Sequence, residues 1–196
     1  MRVRERVAGK RKRGARRSGA ALACAALAIG LTAGVPAKAD EAMIVGCLKA
    51  ASELHHVPAG VLVLLLTVEA GRLGAVSQNA NDTVDIGPMQ VNDTWVPKIA
   101  AHWGASREAS YRALLDNFCA NVEGGAWILR QALDEAHGNL WEGVALYHSH
   151  SPVHKLEYLR LVYEQAMHLK RQAAREWALQ DMASQRLASA DGGGRR

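Results

Sequence analysis

The sequence has few cysteines, no long hydrophobic run and no net positive charge beyond its first forty residues. Its three cysteines form no Cys-x-x-Cys motif, which argues against a thiol redox enzyme. The longest apolar stretches, residues 19–35 and 57–68, are too short for typical membrane-spanning helices. No internal repeat and no linker divides the chain. At 196 residues it is long enough for one well-buried domain.

The net positive charge is confined to the start of the chain. Residues 1–39 contain ten Lys/Arg and one acidic residue, a net charge of +9. Residues 40–196 contain fourteen Lys/Arg and eighteen Asp/Glu, a net charge of −4. A protein that binds nucleic acid needs a basic surface on its folded part, because contacts with phosphates supply much of the affinity. We therefore expect no nucleic-acid partner.

The first 39 residues have the layout of a secretory signal peptide. A basic block at residues 11–17 precedes the apolar stretch, and a small-x-small cleavage site ends at Ala39. An uncleaved membrane anchor is the alternative, but the apolar stretch is short and weak for that role. We expect export to the periplasm, cleavage near Ala39 and no stable membrane span after cleavage.

Export changes the interpretation of the cysteines. Cys24 leaves with the signal peptide, so Cys47 and Cys119 remain as an even pair in an oxidising compartment. We expect them to form a disulfide, with two unpaired buried thiols as the alternative. The bridge would close a long loop, for which chain entropy predicts a stabilisation of about 4 kcal/mol.

Helical periodicity predicts a mainly α-helical domain with one irregular region. The predicted helices cover residues 40–55, 58–70, 95–103, 106–115, 116–138, 139–147 and 152–170. The second helix is apolar on every side, which predicts burial all round. Ser106 and Asp116 are expected to cap the helices that follow them. Residues 75–91 are rich in Asn, Asp, Ser and Gly, which predicts a small β or loop excursion forming one wall of a cleft.

Glu69, at the end of the second helix, is the strongest candidate for a catalytic residue. Loss of solvent disfavours the charged form of a carboxyl group, so the pKa of Glu69 should rise. Sixteen residues later, the run from Asp85 to Asn92 reads Asp-Ile-Gly-Pro-Met-Gln-Val-Asn. It supplies a second carboxylate and two amides that can bind sugar hydroxyl groups. One protonated acid facing a polar cleft suits cleavage of a glycosidic bond. The alternative is a helix-end residue that merely reaches solvent.

Four motifs in order resemble those of the soluble lytic transglycosylase family, which has a lysozyme-like fold. They are Glu69-Ala70-Gly71, the run from Asp85 to Asn92, the segment from Asn121 to Leu129 with its Gly-Gly pair, and Ala145-Leu146-Tyr147. The resemblance covers about residues 47–165. It is strongest to the small members that accompany type III and type IV secretion or conjugation systems, which share the two cysteines.

The resemblance implies a domain organisation and an activity. A lysozyme-like α+β domain would occupy residues 40–168, and residues 169–196 would be a helical extension with a disordered tail. Glu69 would protonate the glycosidic oxygen between N-acetylmuramic acid and N-acetylglucosamine. It would then take the proton from the muramyl C6 hydroxyl, which attacks C1 and leaves a 1,6-anhydro ring. No cofactor is implied.

The resemblance also implies which residues hold the glycan. Met89 would line the floor of the cleft, and Tyr147 would stand near Glu69. The full set of implied substrate-binding residues is Asp85, Gly87, Met89, Gln90, Asn92 and Tyr147. Three residues depart from the family pattern: Ala70 replaces a common serine, His148 replaces a common asparagine, and Pro88 stiffens the turn between Gly87 and Met89.

Two other functions stay open. The spacing of Asp85 from Glu69 also resembles animal-type lysozymes, in which the aspartate stabilises or captures the glycosyl cation for hydrolysis. An inactive glycan-binding or assembly module is the third possibility.

Three histidines near the end of the domain are the weakest candidates. His148, His150 and His154 lie close together in the sequence, but no thiol or carboxylate motif completes a set of metal ligands. We therefore expect no metal site.

Overall fold

The structure is a computed structural model that describes the backbone of residues 37–192 and the side chains of residues 41–186. Most of the expected signal peptide lies outside these residues. The described elements are α1 (Ala37–His55), α2 (Ala59–Glu69), β1 (Val76–Gln78), β2 (Val84–Ile86), β3 (Val91–Asn92), a 3-10 turn (Asp93–Trp95), α3 (Val96–Trp103), α4 (Arg107–Asp116), α5 (Phe118–Glu135), α6 (Leu140–His148) and α7 (Pro152–Gly192). The protein is therefore mainly α-helical with one small sheet, as the sequence predicts.

None of the helices in the described part of the chain has the length and apolar character that a membrane span requires.

The predicted β or loop region forms a three-stranded antiparallel sheet in the order β1-β2-β3. Asp85 on β2 lies opposite Asn92 on β3, and Ile86 lies opposite Val91. Because successive side chains of a strand point to opposite faces, the two polar residues share one face of the sheet. Ile86 and Val91 share the other face and are almost fully buried. The alternation therefore places a carboxylate and an amide on the side away from the core.

The core forms around α5, which packs between α1 and α6. Its predicted apolar positions Val122, Ala126 and Leu129 are fully buried. Gly125 on the same helix lies against the turn between β2 and β3. A Cβ atom at this position would stand 2.9 Å from Cε of Met89. The absence of a side chain therefore lets the turn pack directly on the helix.

Two predictions about the helices are wrong. α2 is not buried on every side, because Val63 is 39% exposed and Thr67 also faces solvent. This helix packs mainly against α1, α5 and α7, and these contacts leave Val63 and Thr67 facing solvent. The cap of α5 is Asn117, whose side chain accepts a hydrogen bond from the Ala120 amide, whereas Asp116 is the last residue of α4. Ser106 caps α4 as predicted, accepting from the Ala109 amide.

The last helix runs well beyond the predicted domain. In its first turns, Tyr158 and Val162 are buried, and this part of α7 packs on α2 and α6. From residue 170 to residue 186 every side chain is exposed. The expected helical extension is thus described as far as Gly192, and residues 193–196 of the expected tail lie outside the described residues.

Cys47 and Cys119 form a disulfide that links α1 to α5, as the sequence predicts. Their Cα atoms are 5.0 Å apart, within the usual range for a bridge. Since 72 positions separate the two residues, the bridge removes much of the freedom of the unfolded chain.

Replacing both cysteines, as Cys47→Ser together with Cys119→Ser, should lower the free energy of unfolding by about 4 kcal/mol. Urea unfolding followed by circular dichroism measures the change. Reductant should bring the unfolding midpoint of the wild type close to that of the double variant. Equal midpoints for the oxidised wild type and the double variant would show that the bridge contributes nothing.

Candidate active site

A cleft of about 550 Å³ lies between the end of α2, the sheet, α6 and the start of α7. It brings together five of the seven residues that the sequence singled out as catalytic or substrate-binding. These lining residues are Glu69, Asp85, Gln90, Asn92 and Tyr147. Both carboxyl groups of the predicted glycosidase pair therefore face the same cleft.

Glu69 is the last residue of α2, and its side chain is largely buried at the edge of the cleft. The hydroxyl group of Tyr158 donates a hydrogen bond to Oε1 of Glu69 at 2.5 Å. Burial raises the pKa of Glu69 to about 7, because loss of solvent disfavours the carboxylate. The bond from Tyr158 lowers this pKa, and the negative charge of Asp85 raises it, both by less than burial does. At neutral pH the acid and its carboxylate are therefore both populated.

Tyr158 is the functional residue that the sequence did not reveal. It lies on α7 and is 89 positions from Glu69. Burial and the neighbouring Glu69 both raise the pKa of its hydroxyl, so the tyrosine stays neutral and can donate. The one available signal was position, since Tyr158 precedes the buried Val162 by four residues and so lies on the same face of the helix.

Tyr147 stands in the cleft near Glu69, as the resemblance implied. Its hydroxyl donates to the backbone oxygen of Met89 at 2.8 Å, which ties α6 to the turn between β2 and β3. Burial raises the pKa of Tyr147 well above its ordinary value, and the charges of Glu69 and Asp85 add to the effect. Tyr147 is therefore a neutral donor that is already engaged with the protein backbone.

The polar face of the sheet is built around the side chain of Asn92. Its Nδ2 donates to Oδ1 of Asp85 at 2.8 Å and to Oγ1 of Thr83 at 2.9 Å. Its Oδ1 accepts from the backbone and the hydroxyl of Thr94. The amide of Asn92 therefore fixes the orientation of Asp85 and leaves little capacity for a sugar.

Met89 and Gly87 do not line the cleft. We expected Met89 to form the cleft floor, but its side chain is fully buried beneath that floor, in the space left by Gly125. Gly87 is also buried and has a φ of 66°. A Cβ atom on Gly87 would stand 2.5 Å from Nδ2 of Asn121, so this glycine allows the turn to approach α5. Both residues lie on the side of the turn that packs against α5.

Gln90 lines the cleft and closes the same turn. Its Nε2 donates to the backbone oxygen of Gly87 at 2.9 Å, and its own φ is 48°. Gly71, just after α2, packs against this turn so closely that a Cβ atom there would stand 2.0 Å from the oxygen of Gly87. Glycine at position 71 therefore lets the segment after Glu69 and the sheet lie side by side.

Of the three histidines of the final segment, His148 and His154 line the cleft and His150 does not. His148 lines the cleft and stacks on the ring of Tyr158, with centroids 4.3 Å apart. Partial burial lowers the pKa of His148, as does His154, whereas the charge of Asp85 raises it. His150 contacts Glu135 instead, at 3.0 Å. Among the described residues these histidines belong to no group that could hold a metal ion.

Comparison with protein-family models finds no match, and comparison with curated proteins finds no significant one.

The raised pKa of Glu69 predicts a pH-dependent effect on stability. The folded state holds the Glu69 proton more tightly than the unfolded chain, so wild-type stability should fall as the pH rises from about 4.5 to about 7. The loss from this group is on the order of 3 kcal/mol. Glu69→Gln lacks this titration. Its free energy of unfolding minus that of wild type should therefore increase by that amount from pH 4 to pH 8.

Urea unfolding of both proteins across this pH range measures the difference. Glu53→Gln, on the exposed side of α1, serves as the control for removing one carboxyl group from the chain. A constant difference between Glu69→Gln and wild type at all pH values would contradict the raised pKa.

Proposed function

We propose that the protein is an exported peptidoglycan lytic transglycosylase with a lysozyme-like fold. The observation that carries the proposal is Glu69, a carboxyl group with a pKa of about 7 that faces a cleft with a polar wall. Such a group can donate a proton and then accept one at the same pH, as one residue must when it serves as both acid and base. The order of the sequence motifs supports the same activity.

The first step is protonation of the glycosidic oxygen between N-acetylmuramic acid and N-acetylglucosamine by Glu69. The bond between this oxygen and C1 of the muramyl residue breaks, and positive charge develops at C1. The carboxylate that Glu69 becomes is stabilised by the hydrogen bond from Tyr158. Burial thus favours the protonated acid before the reaction, and the hydrogen bond from Tyr158 lowers the cost of releasing the proton.

In the second step the Glu69 carboxylate takes the proton of the muramyl C6 hydroxyl. The C6 oxygen then attacks C1 and closes the 1,6-anhydro ring. No water is consumed, and Glu69 returns to its protonated form. Asp85 lies in the same cleft, where its negative charge favours the positive charge at C1 and also disfavours ionisation of Glu69.

Hydrolysis is the second candidate function, and the position of Asp85 is the observation that favours it. Asp85 is held by Asn92 and faces the cleft together with Glu69, as the second carboxylate of a lysozyme would. In that reaction Asp85 would stabilise or capture the glycosyl cation until water attacks. A glycan-binding module without activity is less well supported, because binding alone needs no acid with a raised pKa.

The cellular role we propose is local opening of the peptidoglycan for a secretion or conjugation apparatus of type IV or type III. Three features support a role outside the cytoplasm: the signal-peptide layout, the disulfide between Cys47 and Cys119, and the resemblance to small transglycosylases of such systems.

Glu69→Gln should lower the rate of cell-wall cleavage by at least about 10²-fold, because the amide can neither donate nor accept the proton. Release of soluble fragments from purified sacculi measures the rate, and circular dichroism checks the fold. Glu53→Gln should cleave like wild type. A folded Glu69→Gln protein with the wild-type rate would show that the assignment is wrong.

The reaction products distinguish the two chemistries. A transglycosylase should release muropeptides that end in 1,6-anhydromuramic acid, lighter by one water molecule than the reducing ends of hydrolysis. Asp85→Asn should then have a modest effect on the rate. Mass spectrometry of the digest decides the matter: reducing ends alone, with an inactive Asp85→Asn variant, would establish hydrolysis.

A further inference from the structure

Two histidines and one glutamate meet on the side of the domain that carries the disulfide. His55 is the last residue of α1, His102 lies in the last turn of α3, and Glu123 lies in the second turn of α5. None of the three lines the cleft that contains Glu69. The cluster is therefore separate from the candidate active site.

The ligand atoms of these side chains converge on one point. Nε2 of His55 lies 2.5 Å from Oε1 of Glu123, and Nε2 of His102 lies 3.3 Å from the same oxygen. All three atoms lie within 4.8 Å of one another, and they form the one such group among the described residues. We propose that His55, His102 and Glu123 bind a zinc ion that joins α1, α3 and α5.

The two distances to Glu123 are close to those around a tetrahedral zinc ion, and the spacing between the two histidine ligand atoms is within 4.8 Å. Ligand atoms that lie about 2 Å from zinc at tetrahedral angles are about 3.3 Å apart. The pair formed by His102 and Glu123 already has this spacing, and His55 must move from Glu123 by less than about 1 Å. Two imidazoles and one carboxylate are ordinary zinc ligands, and they leave the fourth position for water.

Neighbouring side chains hold the ligands in place. Nε1 of Trp103 donates a hydrogen bond to Oε2 of Glu123, so Oε1 is the oxygen that faces the histidines. The ring of His102 stacks on Trp127, with centroids 4.9 Å apart and planes 16° from parallel. Supporting contacts of this kind orient the ligands of metal sites and reduce the ordering needed on binding.

The disulfide brings two of the three ligand-bearing helices together before any ion binds. Cys119 precedes Glu123 by one turn of α5, and Cys47 precedes His55 by two turns of α1. Glu123 also lines an open pocket of about 450 Å³ beside the bridge, which gives an ion access from solvent. The linked helices should therefore present the ligands at a nearly fixed spacing.

A hydrogen-bonded network without metal is the competing explanation, since neutral histidines can donate to Glu123. In that case each Nε2 carries its proton. Zinc requires each Nε2 to be free of its proton, which then sits on Nδ1 of the neutral ring. Within the described residues, the ion-pair partners of Glu123 are these two histidines alone. A bound cation would therefore neutralise a largely buried carboxylate that no Lys or Arg neutralises there.

The test is a titration of the chelator-treated protein with zinc chloride, measured by isothermal titration calorimetry. We expect one zinc ion per chain. His102→Ala and Glu123→Gln should each weaken zinc binding by at least about 100-fold, and Trp103→Phe by about 10- to 100-fold. His150→Ala is the matched control, because His150 also contacts a glutamate but is not part of a three-ligand group. It should bind zinc like wild type.

Cobalt gives a second readout that does not depend on catalysis. A four-coordinate Co²⁺ complex of the wild type should show strong visible absorption bands that His102→Ala loses. His102 is partly exposed, so this variant should fold even if Glu123→Gln does not. The proposal is overturned if the wild type binds no zinc, if His102→Ala binds it like wild type, or if His150→Ala is the variant that loses it. A hydrogen-bonded network only would give the first of these results.

Discussion

The side-chain amide of Asn121 fixes the position of the polar wall of the candidate site. Its Nδ2 donates to the backbone oxygens of Ile86 and Leu114, and its Oδ1 accepts from the amide of Met89. The residue is fully buried, so each of these bonds replaces solvent that the backbone groups have lost. One side chain of α5 thus holds both ends of the turn between β2 and β3, and with it the strands that carry Asp85 and Asn92. The small residues Gly87 and Gly125 make the close approach possible.

The pKa of Glu69 is set mainly by two opposing effects, burial and a hydrogen bond. Burial disfavours the carboxylate, whereas the hydroxyl of Tyr158 favours it. The hydrogen bond from Tyr158 therefore limits how far burial raises the pKa, and the proposed acid–base role depends on this limit. The two structural elements responsible, α2 and α7, pack against each other and share no part of the sheet. The electrostatics of the site therefore depend on helix packing as much as on the polar wall.

Much of the fold could be predicted from the sequence, because apolar periodicity and turn residues act locally. The helices, the irregular region and the position of Glu69 at a helix end all follow from such signals. Met89 was misplaced because a motif indicates which residues lie near a site, and only packing shows whether a side chain faces the cleft or the core. Tyr158 was missed because its role depends on the docking of α7 against α2. The group of His55, His102 and Glu123 was missed for the same reason, since its members come from three separate helices.

Tyr158 lies on α7, far along the chain from Glu69, and this distance affects the order in which the candidate site is completed. Synthesis produces Glu69 long before Tyr158, and the bond between them closes across 89 positions of the chain. The start of α7 packs on α2, so an unfinished chain lacks both the donor and part of the packing around the acid. A fragment that ends before residue 158 would carry the glutamate without the tyrosine that stabilises its carboxylate. The proposed acid–base site is thus incomplete until α7 has been synthesised and has packed on α2.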